Sequence, residues 1–91
     1  MTVNASEARE ALRQAVIKVL EEDVRPLRNE MSMFEDLRMD STTMLETLME
    51  LENTLQFKID PEELEIEDFL TVGTYVQFLV EITANRAGTA A

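Results

Sequence analysis

Ser41-Thr42-Thr43-Met44-Leu45-Glu46-Thr47-Leu48-Met49-Glu50-Leu51-Glu52-Asn53-Thr54-Leu55 decides the fold. Its apolar residues Met44, Leu45, Leu48, Met49, Leu51 and Leu55 recur every three or four positions, with Glu46, Glu50 and Glu52 between them and no Gly or Pro to break the run. That period is helical, not the alternation of a strand. Leu48, Leu51 and Leu55 are placed inward. Leu45 stands one turn beyond Ser41 and Met49 one turn beyond that, so with Thr42 they share a flank. For Leu45 and Met49 a partly exposed patch competes with ordinary core packing.

Working outward, Ala8, Leu12, Ala15, Val16, Val19 and Leu20 give an earlier amphipathic helix. Asn4 and Glu7 can cap its start, and it should end near Glu22 because Pro26 disfavours helix at Arg25. Residues 23–40 form a long connection carrying Val24, Leu27, Met31, Met33, Phe34 and Leu37, which predicts packing on the core. Downstream, Asp60-Pro61-Glu62-Glu63 is a compact helix start, and Leu64 to Asp68 allows only a short third helix. Thr71 caps a fourth, with Val72, Tyr75, Val76, Leu79, Val80 and Thr83 at helical spacing. No strand is required. The expected fold is all-α: a small four-helix bundle with three longer helices, one short third helix and a long structured loop between helices 1 and 2. It is expected as a single domain over 1–91, with an ordered core of about 5–84 and a frayed tail over 85–91.

The 91 residues allow one core, and a hydrophobic fraction of 45% is enough to fill it. With no Cys there is no disulfide framework or thiolate metal site. With no His, the commonest general base and metal imidazole are missing. No catalytic and no metal-ligating residue is therefore assigned, and the inventory is poor for an enzyme. Eight basic and 19 acidic residues give a net charge of −11, which argues against nucleic acid or an anionic membrane as partner. No apolar run approaches the roughly 20 residues of a span, so the expected location is cytoplasmic.

The charge is unevenly placed. Residues 1–29 hold five acids and five bases, residues 71–91 hold Glu81 and Arg86, and residues 30–70 hold thirteen acids against Arg38 and Lys58. From charge alone, a solvated face serving solubility is favoured over a docking face for basic partners. Asp36, Asp40, Asp60 and Asp68 lack the spacing and central Gly of a calcium loop.

Asp36-Leu37-Arg38-Met39-Asp40-Ser41 puts a hydroxyl where the long connection meets the second helix. The unpaired N–H groups there would favour a phosphate on Ser41. Equally, Asp40 or Ser41 could simply cap the helix.

Ser32-Met33-Phe34-Glu35-Asp36-Leu37-Arg38-Met39-Asp40-Ser41-Thr42 resembles the acyl carrier protein family, whose pattern is approximately Ser-Phe-x-Glu-Asp-Leu-Gly-x-Asp-Ser-Leu before an apolar and acidic helix. Phe57-Lys58-Ile59-Asp60-Pro61-Glu62-Glu63 and Phe69-Leu70-Thr71-Val72 are similar to the family's approaches to its third and last helices. The likeness spans roughly residues 5–84 in layout, and its specific part is 32–72. Two positions depart: Arg38 stands for the usual Gly and Thr42 for the usual Leu. Arg38 implies either that the backbone needs no positive φ there or that strain is tolerated. It also brings a cation toward the expected phosphate.

The resemblance implies that a phosphopantetheinyl transferase moves 4′-phosphopantetheine from coenzyme A onto Ser41. The thiol of that arm would then hold an acyl, polyketide or aminoacyl group as a thioester. It further implies a non-catalytic monomer, a discrete carrier in fatty acid, polyketide or other secondary metabolism. Its partners would be an acyl- or aminoacyl-loading enzyme and a ketosynthase or acyltransferase. Asp40, Thr42, Leu45, Glu46, Met49 and Glu52 become the expected docking residues, which raises the docking reading of the acidic segment. The alternatives are a peptidyl carrier protein and a non-carrier helical interaction module in which Ser41 is only a cap.

Overall fold

The first helix, α1 (Ala5–Leu20), starts where Asn4 accepts a hydrogen bond from the Glu7 N–H at 2.8 Å and Glu7 accepts one from the Asn4 N–H at 3.0 Å. This reciprocal box satisfies two of the donors a helix start leaves free. The computed structural model describes residues 3–90, with the side chains of 61 and 85–90 outside the description. α1 stops two residues earlier than the sequence suggests, because Glu21 turns left-handed (φ 55°) and closes the last turn on the Ile17 carbonyl. Pro26 therefore does not end it. Its face of Ala8, Leu12, Ala15 and Val16 is buried, as the period predicts.

α2 (Ser41–Leu55) and α3 (Val72–Ala90) are the other long helices, and α1 packs on both. The hydroxyls of Thr71 and Thr74 exchange bonds with each other's N–H, so Thr71 caps α3 as predicted. α3 buries Val72, Tyr75, Val76, Leu79 and Thr83. The backbone of residues 85–90, expected as a frayed tail, continues α3; their side chains and residue 91 lie outside the described residues.

The short third helix is replaced by two single 3₁₀ turns, Pro61–Glu63 and Ile66–Phe69. Between Asp60 and Phe69 the sequence offers only Leu64 and Ile66 as long apolar side chains, too few for a buried stripe. Asp60 still opens the first turn by accepting the Glu62 N–H at 3.0 Å. Phe69 anchors the second against Tyr75 and Phe78 of α3, with ring centroids 4.8 and 5.2 Å away.

The connection between α1 and α2 packs on the core, as expected. Leu27, Met33 and Met39 are buried, and Val24, Met31, Phe34 and Leu37 half-buried. It is pinned at both sides. Arg13 donates to the Val24 carbonyl at 2.8 Å, and a short antiparallel seam joins it to the start of α3. There Met33 N–H donates to the Leu70 carbonyl and Val72 N–H to the Met31 carbonyl, each at 2.9 Å. Gly73 sits where a Cβ would come within 3.1 Å of the Asn29 Cβ and 3.2 Å of its carbonyl oxygen, so a side chain there would press on the connection.

Candidate functional site

Ser32 and Asp36 shape the loop that delivers the chain to α2. The Ser32 hydroxyl accepts the Glu35 N–H at 3.0 Å, and the Asp36 carboxylate accepts the Ser32 N–H at 2.6 Å. Part of the conspicuous Ser-to-Asp block therefore does structural work. Met39 then inserts into the core and its N–H bonds the Met33 carbonyl at 3.0 Å, fixing where Asp40 stands.

Between them lies Arg38, with φ at 55°. The position does need a positive φ, and a residue with a Cβ holds it at a cost of roughly 1–2 kcal/mol relative to an unstrained backbone. Of the two alternatives for Arg38, tolerated strain is the correct one. Its exposed side chain lines a cleft with Leu20, Arg25 and Leu37, and is not among the residues that surround Ser41.

Asp40 is the cap of α2. Its carboxylate accepts the Thr43 N–H at 2.8 Å while the Thr43 hydroxyl accepts the Asp40 N–H at 2.7 Å, a second capping box with Thr in place of the usual Glu. The Thr43 N–H, and after it the Thr43 hydroxyl, holds the Asp40 carboxyl below the usual carboxylate range. Ser41 is the first residue of the helix proper. It is exposed, and among the described residues its hydroxyl has no hydrogen-bond partner. Capping is complete without it.

Beside Ser41 lies an apolar cavity of about 290 Å³, whose wall includes Phe34, Met44, Leu48, Leu64, Ile66 and Phe69, with Leu45 at its side. No charged residue is among those lining it. Period and motif do not find this cavity, since its walls come from the connection, α2 and both sides of the second 3₁₀ turn. The one available signal was the surplus of apolar residues around 64–70.

The expected docking residues divide. Thr42, Leu45, Glu46 and Met49 are exposed on α2, with Leu45 at 49% and Met49 at 60%. Leu48 and Leu51 are buried and Leu55 half-buried, so the predicted inward and flanking sets hold. Glu52 is different. It is half-buried, and its carboxylate accepts the Ile59 N–H at 3.0 Å, tying α2 to the segment that follows. Ile66 (62% exposed) and Leu70 (44%) add apolar surface on the second 3₁₀ turn and just beyond it, which the period of α2 could not indicate.

The family model for the phosphopantetheine attachment site matches residues 10–79. The acyl carrier protein AsbD of Bacillus anthracis is 33% identical over 79 residues, covering 81% of this chain and 87% of that protein.

Proposed function

The chain belongs to the phosphopantetheine-attachment family of carrier proteins, and we propose that it is an acyl carrier whose 4′-phosphopantetheine is attached at Ser41. The observation that carries this assignment is the division of labour at the start of α2, where Asp40 and Thr43 complete the cap and leave the Ser41 hydroxyl exposed and unengaged. The residues fit the group. Past the Asp40 cap, whose carboxylate shares the positive end of the helix, the first turn contains no acid, so its partial positive charge also favours a phosphate ester on Ser41.

When bound, the arm supplies a terminal thiol on which cargo is held as a thioester. Attachment forms an ester between the Ser41 oxygen and phosphorus and breaks the pyrophosphate link of coenzyme A, releasing adenosine 3′,5′-bisphosphate. Asp40 is a poor acceptor for the hydroxyl proton, because its carboxyl is held ionised below the usual range. The proton therefore passes to the phosphopantetheinyl transferase, and this chain contributes position, not catalysis.

The acyl assignment is favoured over a peptidyl carrier by the uncharged wall beside Ser41, where the ammonium of an aminoacyl group would lose hydration without a partner. Asp40, Thr42, Leu45, Glu46 and Met49, with Ile66 and Leu70, form the surface offered to loading and condensing enzymes. Glu52 serves by holding the segment at Ile59. The acidic surroundings suit basic partners in the cytoplasm.

Intact-mass spectrometry after incubation with coenzyme A and a broad transferase tests the assignment. The wild type should gain one phosphopantetheine, and Ser41→Ala none while keeping its helical circular dichroism. Equal loading of both would exclude Ser41, and loading of neither would favour the interaction module.

A further inference from the structure

The cleft that holds Arg38 is lined by the end of α1 and by both ends of the connection, and encloses about 440 Å³. Its apolar part is Leu20, Val24, Met31 and Leu37, all half-buried and packed against the core. Ser41 does not line it. Each end of the connection brings both signs of charge to the cleft: Glu22, Asp23 and Arg25 from the first, Asp36 and Arg38 from the last. Asp36 is engaged, accepting the Ser32 N–H at 2.6 Å. Arg25 and Arg38 are exposed, and among the described residues neither belongs to an ion pair. Other cations of the chain do find acceptors: Arg9 at Asn29, Arg13 at Glu10 and Val24, Lys18 at Glu50, Arg28 at Glu30. In a chain with 19 acids and 8 bases, two guanidinium groups left unpaired in one cleft stand out. Arg38 also holds φ at 55°, a strain that a glycine would avoid. An exposed side chain kept there does nothing for the fold.

We propose that this cleft is a second docking point, which seats a surface segment of the enzyme that loads the cargo. The segment presents an apolar side chain flanked by a carboxylate, which Arg25 and Arg38 receive. A guanidinium takes a carboxylate through parallel N–H donors, a fit that an ammonium lacks. A free anion suits the cleft less well, because Glu22 and Asp23 line it too; a protein surface of mixed charge satisfies both signs. The sign sought by the arginines is opposite to that sought by α2. A partner must therefore carry an acidic point as well as a basic patch, and an enzyme with the basic patch alone is discriminated against. The proposal rests on the carrier reading. A transferase must reach the Ser41 oxygen itself, whereas a loading enzyme meets the thiol at the far end of the arm and is free to seat on another face.

The test uses the whole protein bearing phosphopantetheine, with equal loading of every variant verified by mass. The probe is the acyl-loading enzyme that acylates its thiol. Removing a cation makes the chain more acidic, so if overall charge alone steered a basic enzyme, every Arg substitution would leave acylation equal or faster. Arg25→Ala and Arg38→Gly should instead lower kcat/KM about fivefold, through KM. Arg38→Gly should do so while melting no lower than the wild type, which a merely structural role would not produce. Arg38→Lys, which keeps the charge without the fork, should fall between. Arg28→Ala, outside the cleft, should leave kcat/KM unchanged. An unchanged or raised kcat/KM in both cleft variants would overturn the docking point while the mass still shows a loaded carrier. Sedimentation of the wild type alone should give a monomer; a dimer that Arg38→Gly dissociates would put a second copy in the cleft and overturn the proposal. A chain that takes up no phosphopantetheine is seen first in the mass and would overturn the carrier reading as well.

Discussion

Helices α1 and α2 each open on a capping box, close on a non-glycine residue in the left-handed region (Glu21 and Gln56), and bury four residues. Their outer faces differ. α1 carries Glu7 and Glu10 against Arg9, Arg13 and Lys18, whereas α2 carries Glu46, Glu50 and Glu52 and no base. None of the large exposed hydrophobic residues lies on α1, while Leu45 and Met49 stand out from α2. Two helices of 16 and 15 residues thus meet the demands of folding by the same devices. Apolar area left in water forgoes about 25 cal/mol per Å² of stabilisation, so the surplus on α2 does nothing for the fold. On the proposed function it is surface for contact with partner enzymes, on the same helix as the free hydroxyl.

The largest expected effect separates buried from outward leucines. Leu12→Ala in α1, where the side chain is fully buried, should cost about 2–5 kcal/mol in urea denaturation. Leu45→Ala, half exposed, should cost about 1 kcal/mol or less and instead slow cargo transfer by partner enzymes. Equal losses of stability would erase the distinction between the two faces.

Charge reversal comes next. Glu46→Lys should lower kcat/KM for transfer by the cognate partner several-fold, with the deficit shrinking as salt screens charges beyond about 8 Å. Glu10→Lys on α1 should leave transfer unchanged. A matching deficit from Glu10→Lys would mean that net charge, not the α2 face, steers the encounter.

The caps offer a smaller contrast. Asn4 does not titrate, but Asp40 does, and its folded pKa is depressed by the Thr43 N–H and hydroxyl. The stability it contributes is present above its unfolded pKa and is lost as pH falls through the folded one. The Thr43 amide resonance should therefore titrate with a midpoint below the usual carboxylate range, and Asp40→Asn should abolish that titration. A midpoint above the range would contradict the bond.

The helix starts and the buried stripes were legible because they depend on residues three or four apart. The capping of α1, the span of α2 and the cap at Thr71 needed nothing more distant. What was hidden depended on other segments. Asp40 and Ser41 are both good caps, and only the docking of Met39 fixes which one takes the role. At Arg38 the family's usual Gly left two alternatives open, and the positive φ that decides between them goes with the loop closed by the Met39 N–H on the Met33 carbonyl. The cavity needed Phe34, Leu64, Ile66 and Phe69 brought together from separate stretches. Glu52 read as a free surface charge, because its bond to Ile59 depends on the path of the chain after α2.

The smallest expected effect concerns the left-handed positions. Arg38→Gly relieves the Cβ clash but adds freedom to the unfolded chain, so a net gain of about 0.5–1 kcal/mol is expected. Gln56→Gly at the end of α2 and Glu21→Gly at the end of α1 should behave alike, because the two caps are built alike. A loss of stability at any of the three would contradict the assigned backbone conformation there.

Fragmentation mass spectrometry of the protein after incubation with coenzyme A and a broad phosphopantetheinyl transferase tests the central claim most directly, since it locates the added group on the chain. The expected result is a single phosphopantetheine on the fragment that begins α2, at Ser41 and at no other hydroxyl. A group found on Ser32 or on any threonine would contradict the assignment of the free hydroxyl at the start of α2, as would a chain that takes up none.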